Sequence, residues 1–407
     1  MLTGDRAARV QRAMLVEYLK TGRTASRLLS LGIGLLFWPW RTFSQALKLT
    51  KQDGQQLADV RSKPMQFLQQ LWLAWFHGFS PQAYYQIGMS ASRLPLRPME
   101  WLQNGHAGLL SRVFREDKSL PEINDKLLFA QVMELNKVPT PSIIAVFENG
   151  QHVSGFSGVD LIGEVERHDS LFVKPARSSG GKDSILWERQ RNGTWNYRVS
   201  SRSSTGFQQT LGRLDQEEFD NEKLLSLIVR LSMSGALLIQ VCLKNHEIVS
   251  SLSQSTGLAA VRLLSGIFDN NVFPLRSVIY LPGRESITSQ HGYPVSIEIS
   301  SGCLGSLPFL LPTQSNLRDE PDTDQLVDNI RLPDWDQVLH LVERAHRALP
   351  DYPFLAWDIA LTDSGPVMLE ANGNYATDSL QKFGPRPLID KEFLAVFDHW
   401  TQKPNYR

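Results

Sequence analysis

The chain of 407 residues contains only two cysteines, Cys242 and Cys303, and its 42 Lys and Arg residues balance 42 Asp and Glu residues. The cysteines form no CxxC pair and have no histidine pair nearby, which argues against a disulfide framework and a zinc site. Zero net charge gives no overall field that would attract nucleic acid or an acidic polymer. We therefore expect a cytoplasmic protein without a nucleic-acid partner.

Long hydrophobic runs are also missing. The longest apolar run, LLSLGIGLLFWPW at residues 28–40, is 13 residues long, interrupted by Pro39 and shorter than the roughly 20 residues that cross a bilayer. It starts too late for a signal peptide, and Arg41 follows it where small cleavage-site residues would be needed. We expect no transmembrane helix, no signal peptide and a mature chain that begins near Met1.

Residues 1–115 show helical spacing, few strand-like runs and aromatic-rich stretches such as FLQQLWLAWFHGF, which predicts a separate helical region. Residues 1–61 carry ten Lys or Arg against four Asp or Glu, several of them flanking the apolar run. Such a segment suits a helix lying on an anionic membrane surface, a peripheral contact. Packing of the helix against the body of the protein is the alternative, and we favour it because apolar helix faces usually serve cores.

Beyond residue 115, strand-like runs alternate with helical segments, and this order predicts an α+β body. Asn124 or Asp125 can cap a helix that Pro139 ends. Further helices are expected over residues 217–233 and 335–349, and a loop rich in Pro, Asp and Ser over residues 302–328. The strand candidates are SIIAVF, LFVKPA, ALLIQVCL, AAVRLLSGIF and VFPLRSVIYL.

The last hairpin, FLAWDIALTDSGPVMLEAN, carries Asp358, Glu370 and Asn372 on its two strands. All three side chains present hard oxygen atoms, the ligands that Mg²⁺ prefers. Their neighbours are apolar, and an unpaired charge on a largely buried strand would be costly. The hairpin therefore predicts a magnesium site, with a solvated polar face as the competing interpretation.

The segment LFVKPARSSGGKDS is a strand that carries Lys174 and then breaks into a Ser-Gly-rich loop. Glycines let backbone N–H groups approach phosphate oxygens, and a lysine on the preceding strand can neutralise phosphate charge. An ordinary loop between two strands is the alternative, since the Walker A spacing is absent. The loop residues concerned are Ser178, Ser179, Gly180 and Gly181.

In ALLIQVCLKNHEIVS an apolar strand ends at a polar turn, and a second short strand is expected to start at Glu247. Such a strand end can bind an adenine edge through its backbone, with Glu247 accepting hydrogen bonds from ribose hydroxyls; a hairpin with a solvated tip is the alternative. Arg262, in the apolar run AAVRLLSG, needs a buried anionic partner. That partner is either a phosphate or a structural carboxylate.

Taken in order, these segments resemble the ATP-grasp superfamily, and most closely its sugar-transfer-associated group, over residues 125–374. The resemblance implies that Lys126 and Lys174 contact ATP phosphates and that Arg262 lies near the transferred phosphate. The metal pattern of the family is matched without substitution by Asp358, Glu370 and Asn372. The remaining nucleotide contacts that it implies are the loop Ser178, Ser179, Gly180, Gly181 and Lys182, the hinge residues Gln240 and Leu243, and Glu247 at the ribose; Gln240 stands where the family commonly has an acid.

The resemblance implies an α+β ATP-grasp fold in which two α+β subdomains, residues 116–240 and 241–407, clasp ATP behind the helical region 1–115. It also implies an ATP- and Mg²⁺-dependent carboxylate–amine ligase that works through an acylphosphate and releases ADP. The expected substrates are small or sugar-linked carboxylates and amines of cell-surface polysaccharide or secondary metabolism. A kinase-like phosphotransferase and a non-catalytic nucleotide-binding adaptor at the membrane surface are the alternatives.

Residues after the hairpin, namely Tyr375, Asp378, Gln381 and Arg386, are candidates for an acceptor pocket, with exposed loop decoration as the competing interpretation.

Overall fold

The computed structural model describes residues 2–20, 24–52, 60–91, 96–114, 121–153, 161–178, 180–200, 219–253, 255–283, 286–289, 292–305, 330–382 and 386–402. Within them, two antiparallel sheets carry helices on their faces, and a helical region precedes the first strand. The predicted α+β fold and its helical N-terminal region are confirmed. Most of the predicted loop at 302–328 lies outside the described residues.

The helical region begins with α1 (Leu2–Lys20), α2 (Thr24–Gln52) and α3 (Lys63–His77). It continues through α4 (Pro81–Ile87), a short 3₁₀ turn (Pro98–Glu100) and α5 (His106–Val113). Helix α1 packs on the body of the protein through Ala7, Val10 and Met14, which are buried among residues that follow the last strand. The two alternatives for the apolar run at residues 28–40, which lies in α2, stay predictions.

The body starts with α6 (Pro121–Asn124) and α7 (Lys126–Leu135), where Asp125 caps α7 by accepting bonds from the N–H groups of Leu127 and Leu128. The first sheet has the order β2–β1–β6–β3–β4–β5. Its elements are β1 (Ile143–Glu148), β2 (Gln151–His152), α8 (Leu161–Glu166), β3 (Ser170–Pro175), β4 (Ile185–Arg189), β5 (Trp195–Val199), α9 (Asn221–Ser232) and β6 (Leu237–Val241).

The second sheet has the order β11–β10–β7–β8–β9. Its elements are α10 (Glu247–Ser253), β7 (Ala260–Phe268), β8 (Asn271–Leu281), β9 (Tyr293–Ile297), α11 (Trp335–Ala348), β10 (Phe354–Thr362) and β11 (Gly365–Asn372), followed by α12 (Thr377–Lys382) and α13 (Lys391–Thr401).

The two faces of the second sheet serve two different hydrophobic cores. On β7 and β10, Leu263 and Trp357 point into a core shared with α7 and α11. Leu264 and Ala356 point to the opposite face, into a core shared with α1, α5 and α13. Side chains alternate between the two faces of a strand. Polar residues that lie an even number of positions from Leu264 on β7, or from Ala356 on β10, therefore lie on the same face as these two residues, outside its apolar part.

The prediction of a strand starting at Glu247 is wrong, because the chain forms helix α10 there. Val249 and Leu252 are three residues apart, so a helix places both in the same core, whereas a strand would split them between its two faces. The predicted boundary at residue 240 falls inside β6, whose strand partners are β1 and β3 of the first sheet. The three-part division of the chain stays a prediction.

Among the helices of the described residues, none combines the length and apolar character that crossing a bilayer would require.

Candidate active site

A cavity of about 250 Å³ lies between the two sheets. The first sheet supplies Lys174 and Gln240, and the second sheet supplies Arg262, Asp358 and Glu370. Side chains as far apart in the chain as Lys174 and Glu370 therefore meet in one cleft. The remaining lining residues are Lys126, Pro141, Phe172, Ser178, Gly180, Gly181, Ser184, Leu186, Val241, Cys242, Leu243, Thr256, Leu258, Ala260, Tyr280, Ile287, Thr288, Ser289 and Leu369.

Two lysines form the positive wall of the cavity. Lys126 is the first residue of α7, and its Nζ donates to the carbonyl oxygen of Ser178 and, at 3.3 Å, to its Oγ. Burial, together with the positive charge of Lys126, lowers the pKa of Lys174 to about 8, although Glu370 opposes the shift. Two buried lysines that line one cavity favour a multiply charged anion there.

The loop after Lys174 contains two consecutive glycines with positive backbone angles, φ +64° at Gly180 and +63° at Gly181. A side chain would strain both positions, and its absence leaves the backbone N–H groups accessible from the cavity. β3 and β4, on either side of these glycines, pair as antiparallel strands, and Gly180 and Gly181 line the cavity together with the two lysines.

Arg262, Asp358 and Glu370 form a row across three neighbouring strands. The strand register pairs Arg262 with Asp358 and Asp358 with Glu370, which places all three side chains on one face. Arg262 binds Asp358 with both arms of its guanidinium, from Nε to Oδ1 at 2.7 Å and from Nη2 to Oδ2 at 2.7 Å. The predicted carboxylate partner of Arg262 is thus present within the site itself.

The electrostatics of this row follow from burial. Burial alone would lower the pKa of Arg262, but the charge of Asp358 and its hydrogen bonds raise that pKa above the ordinary value. Burial and then the charge of Asp358 raise the pKa of Glu370, while Lys126 and Lys174 partly offset the effect. Two carboxylates on adjacent strands are therefore kept together by three cations.

The donor set at the end of the row fits a magnesium ion. Asn372 Nδ2 donates to Asp358 Oδ2 at 3.3 Å and to Glu370 Oε1 at 3.5 Å, so all three predicted ligands converge. Arg262 occupies one lone pair on each Asp358 oxygen and Asn372 a second one on Oδ2, so Asp358 Oδ1 keeps a lone pair for a metal. No group of three or more His, Cys, Asp or Glu side chains suited to a metal occurs in the described part of the chain. Two carboxylates and an amide match Mg²⁺, which takes its other ligands from phosphates and water.

The opposite end of the cavity lies where β6 leaves the first sheet. Gln240 is buried, and its Nε2 donates to the carbonyl oxygen of Pro141 at 3.4 Å. Val241, Cys242 and Leu243 continue along the cavity wall beside Phe172. An apolar slot bordered by a strand end suits a flat aromatic ring.

Two predicted nucleotide contacts, Glu247 and Lys182, are not brought into the cavity. Glu247 is exposed on α10, and its backbone N–H donates to Asp363 Oδ1 at 3.3 Å. Lys182 is exposed and does not line the cavity. Ser179 lies outside the described residues. The other predicted contacts line the cavity or, for Asn372, touch residues that do.

Sequence reasoning missed several lining residues. Phe172 lies two residues before Lys174 on the same strand, so the two-residue period could have revealed it. Tyr280 comes from β8, with the Arg262 guanidinium carbon 5.4 Å from its ring centre, and its hydroxyl bonds to Ser379 at 2.5 Å. Thr288 belongs to a segment after β8, and no local signal pointed to it.

The expected acceptor residues after the hairpin play different parts. Gln381 is buried; its side chain accepts a hydrogen bond from the Leu102 N–H and donates one to the Leu102 carbonyl oxygen. It therefore belongs neither to an acceptor pocket nor to an exposed loop. Tyr375 is buried in the core on the second face of the sheet. Both residues hold the helical region against the body.

The sequence profile of the family described as sugar-transfer associated ATP-grasp matches residues 109–382. The chain belongs to this family, and its two sheets with the cleft between them form the ATP-grasp fold. Among curated proteins, no significant sequence match to this chain was found.

Several solved structures are similar at low identity. The ATP-grasp ligase PsnB, complexed with minimal precursor, Mg and ADP, is 12% identical over 71% of this chain and 62% of that one, with a TM-score of 0.36. The L-amino acid ligase from Bacillus licheniformis is 10% identical over 68% and 48%, with a TM-score of 0.35. D-alanine–D-alanine ligase from Bacillus anthracis complexed with ATP is 11% identical over 69% and 66%, with a TM-score of 0.35. The chain thus covers less than two thirds of each of these structures.

Proposed function

We propose that this protein is an ATP- and Mg²⁺-dependent carboxylate–amine ligase whose reaction takes place in the cavity between the two sheets. The observation that carries the proposal is the row Arg262–Asp358–Glu370 facing Lys126 and Lys174 across that cavity. Such an arrangement offers cations for phosphate oxygens and carboxylates for a metal in the same space. Membership of the ATP-grasp family supports the same assignment.

The proposed reaction has two steps. A carboxylate oxygen of the first substrate attacks the γ-phosphorus of ATP, and the bond from that phosphorus to the β-phosphate oxygen breaks, which gives an acylphosphate and ADP. The amine of the second substrate then attacks the acyl carbon. A C–N bond forms, the C–O bond to phosphate breaks, and the released phosphate carries away the proton that the amine loses.

In this proposal, the basic residues bind phosphate and the acidic residues bind the metal. Lys126 and Lys174 would hold the phosphates, with the backbone of Gly180 and Gly181 covering them. Arg262 would stabilise the negative charge that develops during transfer, since its planar donors suit phosphate oxygens. In the present structure those donors hold Asp358, so engagement of a phosphate requires Arg262 to share its hydrogen bonds.

Asp358, Glu370 and Asn372 would hold Mg²⁺. A magnesium ion held there would supply positive charge to offset the negative charge of the phosphates during transfer. The ring of ATP would lie in the slot formed by Phe172, Gln240 and Leu243.

The substrates remain at the level of chemical class. We propose a small or sugar-linked carboxylate and an amine in cell-surface polysaccharide or secondary metabolism, in keeping with the sugar-transfer associated family. Tyr280, Thr288 and Ser289 line the cavity on the second-sheet side and offer hydroxyl groups to such a substrate.

The test has a binding stage and a turnover stage. In calorimetry, the purified protein should bind ATP only when Mg²⁺ is present. When the protein is supplied with ATP and a suitable acid–amine pair, ADP should be released and an amide product should be detected by mass spectrometry. A stable phosphorylated product without an amide would replace the ligase with a kinase-like enzyme. Absence of ATP binding in the presence of Mg²⁺ would remove the proposal.

A further inference from the structure

Among the described side chains of α2 and α3, several polar ones are buried and most of the large apolar ones are exposed. The buried side chains described in α2 are Thr42, Ala46 and Thr50, spaced four residues apart. The buried residues of α3 are Gln66 and Gln70 together with Leu71, Leu73 and Ala74. Helices that pack in water usually bury their large apolar side chains and expose their polar ones.

Side-chain hydrogen bonds join the two helices, in addition to apolar contacts. Gln70 Nε2 donates to Thr50 Oγ1 at 2.9 Å, and Trp75 Nε1 donates to Thr42 Oγ1 at 2.9 Å. Trp38 Nε1 donates to the carbonyl oxygen of Ala74 at 3.0 Å. Small and polar contacts between helices are typical of pairs whose surroundings are themselves apolar.

The outward sides of the two helices form one surface, here called the aromatic face. Trp40 is 74% exposed and Phe76 is 71% exposed. Phe43 of α2 joins the two halves, since its ring centre lies 6.2 Å from that of Trp40 and 5.4 Å from that of Phe67 on α3. The aromatic face consists of Leu36, Phe37, Trp40, Phe43, Leu47, Met65, Leu68, Trp72, Trp75 and Phe76.

Charge on this helix pair has one sign. Neither α2 nor α3 contains an aspartate or a glutamate. Arg41, Lys48, Lys51 and Lys63 are exposed on them, and none of the four forms an ion pair within the described residues. An exposed apolar surface on two helices whose only charged residues are basic complements a lipid bilayer that is apolar inside and anionic at its surface.

We propose that the aromatic face inserts into one leaflet of an anionic lipid bilayer, with α2 and α3 lying in the interface and the four basic residues contacting lipid headgroups. Tryptophan and tyrosine favour this boundary because their rings are apolar and their N–H or O–H groups are polar. The proposed surface differs from the one expected at residues 1–61, because α1 is packed on the body and α3 contributes half of the face.

The membrane would be coupled to the body through α4. This helix packs against both α2 and α3, and also against α12, which follows the proposed metal ligands in the chain. Docking would therefore orient the whole protein and not a loose extension. The inference goes beyond the proposed ligase activity and does not depend on it.

The experiment measures how much of the full-length protein sediments with lipid vesicles. One sample contains vesicles of phosphatidylcholine with phosphatidylglycerol, a second contains vesicles of phosphatidylcholine alone, and a third contains buffer without vesicles as the control. Binding should be strongest to the anionic vesicles and about tenfold or more weaker to the neutral ones. Phosphatidylcholine brominated on its acyl chains should quench tryptophan fluorescence, and Trp40→Phe should reduce that quenching.

The decisive variant is Trp40→Glu with Leu68→Glu and Phe76→Glu, which replaces three exposed residues whose side chains make no hydrogen bond among those described. Its matched control is Leu135→Glu with Met233→Glu and Ile248→Glu, three exposed apolar residues on the body. We expect the first variant to lose vesicle binding by about tenfold or more, and the control to keep it. Circular dichroism and ATP binding report whether both variants are folded.

Two outcomes overturn the proposal. One is equal vesicle binding by the decisive variant and the control. The other is absence of vesicle binding together with a dimer in light scattering that the decisive variant dissociates, because the aromatic face would then serve a second copy of the chain.

Discussion

Arg262 and Asp358 face each other on neighbouring strands and are joined by two hydrogen bonds of 2.7 Å. The pair is mostly buried, with side-chain exposures of 20% and 11%. A buried pair of this kind leaves an uncompensated charge when one partner is removed.

Asp358→Asn should therefore destabilise the protein and abolish its activity. Loss of the carboxylate leaves Arg262 without its main counter-charge, at a cost of about 3 kcal/mol in the free energy of unfolding. Arg262→Met combined with Asp358→Asn should regain part of that stability and stay inactive. Denaturant unfolding and ADP release measure the two effects, with Asp336→Asn, at an exposed aspartate, as control. Equal stability of Asp358→Asn and the control would contradict the prediction.

Glu370→Gln and Glu247→Gln should differ sharply although both remove one glutamate charge. Glu370 lines the cavity beside Lys126 and Lys174, so its neutralisation should lower ADP release by about 100-fold or more. Glu247 is exposed on α10 and outside the cavity, so its variant should keep the KM for ATP. Steady-state kinetics with varied ATP distinguish the two; a raised KM in Glu247→Gln would restore its predicted ribose contact.

Gly181→Val should weaken ATP binding more than the strain alone explains. Its φ of +63° is costly for a β-branched residue, at about 1–2 kcal/mol, and the side chain would also obstruct the phosphate loop. Gly193→Val provides the matched control, because Gly193 has φ +84° in the next hairpin and lies outside the cavity. Both should lower stability, and calorimetry should show weaker ATP binding for Gly181→Val only. Similar ATP affinities of the two variants would refute a role for the loop.

Stability should fall between pH 6.5 and pH 4 because of His346. Burial lowers the pKa of His346 to about 4, although its bond to the carbonyl oxygen of Tyr352 opposes the shift. Since the unfolded state binds the proton near pH 6.5 and the folded state only near pH 4, stability is fully present above pH 6.5 and is lost as pH falls between these values. The loss amounts to about 3 kcal/mol.

The hydrogen bonds of His346 explain why protonation is resisted. Nε2 donates to the carbonyl oxygen of Tyr352 at 2.7 Å, so Nδ1 accepts from Ser265 Oγ at 2.7 Å, and Ser265 Oγ accepts from Trp357 Nε1 at 2.8 Å. A second proton on the ring would break this chain. Unfolding by urea from pH 7.5 to pH 4.5 measures the slope, which His346→Gln should flatten and exposed His340→Gln should leave unchanged.

Much of the cleft could be predicted from sequence, for a physical reason. Asp358, Glu370 and Lys174 interrupt apolar strands, and a charge in such a setting needs a partner or a ligand. Strand alternation then fixes which face each occupies. The local residue pattern therefore reveals both that these charges need a partner and which face of the strand they occupy.

What could not be predicted depends on contacts between distant segments. The stretch EIVSSLS alternates enough to suggest a strand, and only the core that receives Val249 and Leu252 selects a helix. Tyr280 reaches the site because β8 lies beside β7, which its own sequence does not reveal. Similarly, FLQQLWLAWFHGF predicts a helix without showing which side faces outward.

The bonds between Gln381 and Leu102 join residues 279 positions apart. During synthesis, the helical region therefore emerges long before the segment that completes its hydrogen bonding. Until then, the backbone of Leu102 lacks the partner that Gln381 provides in the complete chain. We expect the nascent chain to need a chaperone or a nearby surface, and a truncated chain that starts at residue 116 to be recovered as aggregate.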